Sequence, residues 1–259
     1  MAPNSAEATK MTYRILGNSG LLVSKFALGS WMWASDEYTA DAWYKMMVTA
    51  FQGGVNFFDT AENYGETLAE RNMGSAIKRG IEEGAWSRED LVVTAKLFAG
   101  TIAWDQSSPN AQGLCRKHVV EGLKASLGRM QLEYVDVVFC HRPDALTPIE
   151  ETVRAMNFVI KQGWAFYWGT SEWLASDIVE ACEIADRLGL IRPLVEQPQY
   201  NIFERNKVDR PSQLEENLKA LAFVDKITSE VKAKIDGIVN FVPRVPQQDA
   251  LANLRGRHL

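Results

Sequence analysis

The chain has 259 residues, 46% of them hydrophobic and 24% charged, with a formal net charge of −5. This composition excludes a disordered chain, a collagen and a coiled-coil rod, and the length suits one large domain or two small ones. No run reaches the about 18–20 consecutive apolar residues of a membrane span, and the acidic balance argues against nucleic acid, whose phosphates call for a basic face.

Residues 1–10 (MAPNSAEATK) lack the apolar core and basic cluster of a secretory signal and read as a frayed leader. Three scattered cysteines, Cys115, Cys140 and Cys182, fit a reduced, cytoplasmic protein better than a disulfide scaffold. With three histidines and no H-x-x-x-H pair, no metal site is expected.

Two short apolar runs around Gly17-Asn-Ser-Gly20 predict a hairpin over Tyr13–Ser24. Strand-like runs follow at Phe26–Trp31, Val55–Thr60, Leu91–Leu97, Tyr134–His141, Ala165–Ser171 and Leu194–Tyr200. Each is apolar nearly throughout, as strands buried on both faces are. Between them lie helical stripes: Trp43, Met46, Met47, Ala50 and Phe51; Val119, Val120, Leu123 and Leu127; Val153, Met156, Phe158 and Val159. Thr147-Pro148 before Glu150-Glu151 predicts a helix start with Thr147 as cap, and Gly53-Gly54, Gly128 and Gly163 predict helix ends. Strand starts recur every 30–40 residues or so, the length of a βα repeat. The fold class is α/β with a parallel sheet. The first strand-to-helix turn, Leu28-Gly-Ser-Trp-Met-Trp33, lacks G-x-G-x-x-G, so a (β/α)8 TIM barrel is favoured over a doubly wound sheet.

In a barrel the chemistry sits at the carboxyl ends of the strands. Asp59 ends the second run, Lys96 the third, His141 the fourth and Ser171 the fifth; the sixth carries Glu196, Gln197 and Asn201. Singly, Asp59 could cap a turn, Lys96 could reach solvent, His141 could be a satisfied rim histidine, and Tyr64 could be loop packing. Converging on one mouth they suggest chemistry. A lysine ammonium beside a tyrosine lowers the phenol's pKa and makes it a general acid, an aspartate holds the lysine, and a histidine orients the same oxygen. Such a site has no nucleophile, metal or electron source of its own, so a carbonyl reduction would need a bound nicotinamide cofactor.

The stretches NFFDTAENYG (56–65), VVTAK (92–96), YVDVVFCHRPD (134–144), WGTSEW (168–173) and EQPQYN (196–201) resemble the aldo-keto reductase superfamily. The nearest branch is that of the potassium-channel β-subunits and their fungal and plant reductase relatives. The resemblance implies Tyr64 as proton donor, Lys96 and Asp59 as the pair that tunes it, and His141 as the residue orienting the carbonyl. Channel β-subunits carry asparagine at that last position, so histidine implies a working reductase. For the cofactor, NADP, it implies contacts from Ser30, Trp31, Asp59, Ser171 and Gln197, with Gln213, Glu216 and Asn217 toward the adenosine end. Read from the residues alone, Ser212–Asn217 is a capped, solvated helix start. A small carbonyl substrate and a homo-oligomer, tetramer or higher, are also implied. Trp31, Trp33, Phe98, Trp104 and Trp173 are candidates for an apolar substrate pocket.

The whole chain, 1–259, reads as one barrel domain with a tail at 242–259. Six strands are used by Tyr200, and the remainder offers two helical segments, Ser212–Phe223 and Ser229–Phe241, with no further β-rich run. Strands seven and eight, and with them the loop that clasps the cofactor pyrophosphate, are missing from the sequence. Relative to the family that the chain resembles, about 80 residues are lacking. A join near Asp209–Arg210 across an omitted segment is favoured over a true deletion, because a barrel without two staves exposes unpaired edges. Three other functions compete: a cofactor-sensing channel subunit, a metal-dependent hydrolase using Asp59, Glu62 and His141, and an inactive truncated pseudo-enzyme.

Overall fold

The computed structural model describes residues 11–32, 34–102, 108–201, 230, 233–234, 237–238 and 250–258. The predicted hairpin forms: β1 (Tyr13–Ile15) pairs antiparallel with β2 (Leu22–Ser24). Five strands then run parallel in sequence order: β3 (Ala27–Gly29), β4 (Phe57–Asp59), β5 (Val92–Leu97), β6 (Val135–Cys140) and β7 (Ala165–Thr170). The crossovers contain α1 (Ala40–Gln52), α2 (Leu68–Glu82), α3 (Arg116–Met130) and α4 (Ile149–Lys161), and α5 (Ala175–Arg187) follows β7. A doubly wound sheet reverses its strand order at a switch point. This one adds each new strand beside the last, as consecutive staves of a barrel do.

The central strands β5 and β6 are buried on both faces, which is why they read as unbroken apolar runs, whereas β3 at the sheet's edge is partly exposed. Phe58, Val93, Ala95, Val138 and Cys140 join the main cluster with the helices, through Trp43, Met47, Met73, Ile77, Leu123 and Met156. Val92, Val137 and Phe139 belong to a second cluster, which Leu16 and Val23 of the hairpin close from one end. Because side chains alternate along a strand, Asp59 shares the inner face with Phe57, and Lys96 with Val92 and Thr94. His141 follows Phe139 on that face, and Ser171 follows Gly169. Fold and site are therefore placed by the same parity.

Several local expectations are corrected. Leu194–Tyr200 does not form a strand; it makes a single parallel bridge, Thr170 to Glu196. Pro193 and Pro198 bracket it and remove the donors that a longer ladder needs. Helix α4 begins at Ile149 with Pro148 at its cap, and Thr147 does not cap it. The Thr147 hydroxyl instead donates to Asp144 and accepts from Arg255. Gly128 lies inside α3, whose end is turned by Gln131 in a left-handed conformation, φ 55°. Gly53 and Gly163 do follow α1 and α4 as expected. Helix α2 buries a stripe of Ala69, Met73, Ala76, Ile77 and Gly80 that the sequence reading does not include, with Glu70 and Asn72 buried beside it; Glu70 is tied to Arg129 of α3. There Gly74 lets the helices close: a Cβ would stand 2.0 Å from the Met130 carbonyl oxygen.

The 242–259 tail, in the part described, packs onto the barrel. Ala252 and Leu254 are buried, the Ala145 N–H donates to Ala252 O, and Arg255 pairs with Asp144. The leader, the join near Asp209–Arg210 and the segment Ser212–Phe223 lie outside the described residues, as does most of Ser229–Phe241.

Candidate active site

Asp59 ends β4, and β3 and β4 pair so that Gly29 lies opposite it. One strand further, Lys96 near the end of β5 is fully buried and forms an ion pair with Asp59 Oδ2. Thr94, on the same face of β5, donates to Asp59 Oδ1 at 2.6 Å. The carboxylate is thus held by two side chains of one strand. Lys96 Nζ also lies 3.4 Å from the Thr60 carbonyl oxygen. A buried ion pair of this kind is costly to desolvate and stands only because its partners are in place.

Tyr64 follows β4 on a loop that turns sharply into α2. Gly65, Glu66 and Thr67 all have positive φ, at 53°, 54° and 77°. For glutamate and for β-branched threonine that conformation is strained, and strain of this kind persists where the surroundings impose it. The Tyr64 hydroxyl lies 3.3 Å from His141 Nε2, with the two rings edge to face. Lys96 Nζ sits 5.0 Å from the Tyr64 ring centre, and the Trp31 ring stacks on Tyr64 from the solvent side, centroids 6.2 Å apart. The four residues Asp59, Tyr64, Lys96 and His141 therefore meet.

The electrostatics differ from the simple expectation. Burial, and next the Asp59 carboxylate, raise the Tyr64 phenol well above its usual range, with Arg142 offsetting part of the rise. The anticipated lowering by Lys96 does not emerge, because the lysine charge is paired with Asp59. Burial also lowers the Lys96 ammonium, with Asp59 opposing. His141 falls well below its usual value, first from burial and then from the cations Lys96 and Arg142. At neutral pH the site thus holds a neutral imidazole against a protonated phenol.

Arg142 is the residue that the sequence reading missed. It lines the cleft beside His141, and its charge acts on Tyr64, Lys96 and His141. The signal was present, a cation directly after the strand-terminal histidine. Two connected lobes open above the cluster. One, about 190 Å³, is walled by Trp31, Asn63, Phe98, Ala99, Arg142 and Leu251 of the tail. The other, about 400 Å³, runs past Ser171, Glu172 and Gln197.

Of the expected cofactor residues, Trp31, Ser171 and Gln197 line the cleft. Ser171 Oγ donates to Gln197 O at 2.9 Å, and the Gln197 N–H donates to Thr170 O, which ties the two residues together beside the lobe. A serine hydroxyl and a carboxamide beside this cluster fit the amide of a nicotinamide. Ser30 does not line the cleft: it is fully buried, its N–H bonded to Asp59 O and its carbonyl to the Tyr38 hydroxyl. Gln213, Glu216 and Asn217 lie outside the described residues. Among the aromatic candidates, Trp31 and Phe98 wall the smaller lobe, Trp173 belongs to the core, and Trp33 and Trp104 lie outside the described residues. Among the described residues no group of three acidic, histidine or cysteine side chains could hold a metal, and no helix is long and apolar enough to cross a membrane.

Comparison with known proteins gives the family. Residues 25–210 match the model of the aldo/keto reductase family. A protein of Arabidopsis thaliana named "Probable voltage-gated potassium channel subunit beta" is 52% identical over 199 residues, 77% of this chain and 58% of that protein. A protein of Oryza sativa subsp. japonica with the same name is 50% identical over 199 residues, again 77% of this chain and 58% of the relative. The chain thus spans less than two thirds of the length of these relatives. The family match begins just after the hairpin, covers all five parallel strands and every residue of the cluster, and the chain belongs to the aldo/keto reductase family.

Proposed function

We propose that the chain is an NADP-dependent oxidoreductase that reduces a small aldehyde or ketone to the alcohol, with Tyr64 as general acid. One observation carries the reading: Tyr64 and His141 line one cleft with Ser171 and Gln197, and the Asp59–Lys96 ion pair lies directly behind Tyr64. Ser171 and Gln197 would hold the nicotinamide amide, and Trp31 would cover the ring system. By resemblance, Gln213, Glu216 and Asn217 would take the adenosine end. When bound, NADPH supplies the hydride that the carbonyl carbon accepts.

The chain's own residues account for the rest of the chemistry. A carbonyl oxygen placed at the Tyr64 hydroxyl and His141 Nε2 can accept from both. His141, kept neutral, orients that oxygen without adding a charge. As the carbon gains hydride, negative charge grows on the oxygen, and the Tyr64 proton moves onto it. The raised phenol pKa guarantees that this proton is present at neutral pH. Its transfer is aided by Arg142, whose charge opposes the rise of the phenol and so stabilises the phenolate left behind. Trp31, Phe98 and Leu251 give the smaller lobe an apolar wall. Solvent then returns the proton to Tyr64.

NADPH titration by cofactor fluorescence tests the binding half of this reading. Saturable binding is expected, weakened about tenfold in Gln197→Ala, roughly the value of one good hydrogen bond. Binding that ignores Gln197 would remove it from the cofactor site. The names of the plant relatives favour a second reading, a cofactor-sensing subunit docked on a channel. It shares NADPH binding but predicts negligible carbonyl turnover and co-purification with a channel.

A further inference from the structure

Glu62 lies between Asp59 and Tyr64 and takes no part in the chemistry above. Its carboxylate is buried, 1% exposed, and its side chain turns away from the cleft into the space between β5 and α3. Oε1 accepts from the backbone N–H of Phe98 at 2.7 Å and of Gly100 at 2.8 Å, and lies 3.1 Å from His118 Nε2. The Glu62 N–H donates to the carbonyl oxygen of Lys96 at 3.1 Å. Helix α3 approaches because Gly122 has no side chain there; a Cβ would stand 3.4 Å from Glu62 Oε2 and 3.3 Å from His118 Cε1. Burial pushes the Glu62 carboxyl up, but His118 and the two amides outweigh it and hold it below the usual carboxylate range.

We propose that Glu62 is a positioning residue, whose carboxylate locks the Tyr64 loop to the end of β5 and thereby sets both the Tyr64–His141 spacing and the cleft wall at Phe98–Ala99. Two segments meet at this one side chain. The first is the loop 59–64, which starts at Asp59 and delivers Tyr64. The second is the stretch 98–100, which follows Lys96 and walls the smaller lobe. The left-handed run Gly65–Thr67 holds Tyr64 from its far side, so Glu62 fixes the near side. An isolated buried carboxylate is costly, and here three donors offset that cost, adding a side-chain tie to the single backbone bond from the Glu62 N–H to Lys96 O. A glutamate is long enough to span the gap; aspartate is one methylene short.

The inference rests on the carbonyl-reductase reading for its kinetic arm and on geometry alone for its structural arm. Glu62→Ala and Glu62→Asp are compared with wild type in NADPH-dependent reduction of a small and a bulky aromatic aldehyde. Expected are a fall in kcat of about 10–100-fold, as for a displaced catalytic group, a change in KM for the bulky aldehyde, and unchanged NADPH affinity. Glu62→Gln, whose amide oxygen still accepts from Phe98 and Gly100, is expected to restore most of kcat. Glu62→Asp keeps the charge and covers the case in which the alanine variant does not fold. Kinetic constants equal to wild type, with only a lowered Tm, would overturn the proposal. A crystal structure of Glu62→Asp decides it without catalysis: the Tyr64–His141 contact is expected to open, and its retention at 3.3 Å would overturn the proposal. A wild-type protein that binds NADPH but reduces no carbonyl would instead refute the reductase reading, leaving that structural arm to judge Glu62.

Discussion

Replacing Tyr64 by phenylalanine isolates the proposed proton transfer from everything else in the site. The ring stays, so the stack on Trp31 and the contact with Lys96 persist; only the hydroxyl 3.3 Å from His141 is lost. General acid catalysis contributes about 10²–10⁴-fold, so kcat is expected to fall by that factor, about 2.7–5.4 kcal/mol at 1.36 kcal/mol per decade. The folded state loses one partly buried hydrogen bond, worth about 1 kcal/mol, and also a buried phenol, so Tm moves little. NADPH consumption with an aldehyde in excess gives kcat, and fluorescence titration gives the cofactor affinity, expected to be unchanged. Turnover within about twofold of wild type would refute Tyr64 as the acid. A parallel loss of NADPH binding would assign the hydroxyl to the cofactor instead.

Lys96→Met strands the buried Asp59 carboxylate and is expected to cost about 3–5 kcal/mol of stability as well as activity. The double variant Asp59→Asn/Lys96→Met is expected to regain stability without activity; in denaturant titrations, a single variant within about 1 kcal/mol of wild type would contradict the pairing. His141 has a folded pKa depressed below its usual 6.5, so the unfolded chain binds the extra proton between those values and stability rises with pH through that window. Glu196, whose carboxyl burial raises to about 7, acts in the opposite sense, so the comparison needed is wild type against His141→Asn. The stability difference is expected to grow, by at most about 1.4 kcal/mol per pH unit, as pH rises toward 6.5, and then to level off; parallel curves would place His141 in contact with water. Gly74→Ala drives a methyl into the Met130 carbonyl and is expected to cost about 1–3 kcal/mol by thermal unfolding; an unchanged Tm would show that α2 and α3 can part without cost.

The strands and the acid, lysine and histidine at their ends were legible because burial on both faces writes itself as unbroken apolar runs. The period of two then carries the terminal polar residues onto the inner face. The hairpin was legible from its Gly-Asn-Ser-Gly turn. The sixth strand was over-read, since its apolar run hides the two prolines that limit it to one bridge. Helix α2 was under-read, because its stripe of Ala69, Met73, Ala76, Ile77 and Gly80 is made largely of alanine and glycine and is only weakly apolar. What the sequence could not carry was depth. The shift of Tyr64 depends on burial and on Lys96 being spent on Asp59, and neither follows from spacing. The same holds for Glu62, which reads in sequence as one more acid near Asp59 and proves to face the other way. The tail reads as polar, yet Ala252, Leu254 and Arg255 suffice to seat it, because the Asp144 carboxylate and the space above Gly113 receive the guanidinium.

In the proposed reaction a hydride passes in this cleft from a nicotinamide to a carbonyl carbon. Incubating the protein with NADPH deuterated at the transferring carbon and a small aldehyde, then examining the product by mass spectrometry, tests it directly. One deuterium on the alcohol carbon, abolished in Tyr64→Phe, is the result predicted. An aldehyde recovered unchanged beside protein that demonstrably binds the labelled cofactor would contradict it.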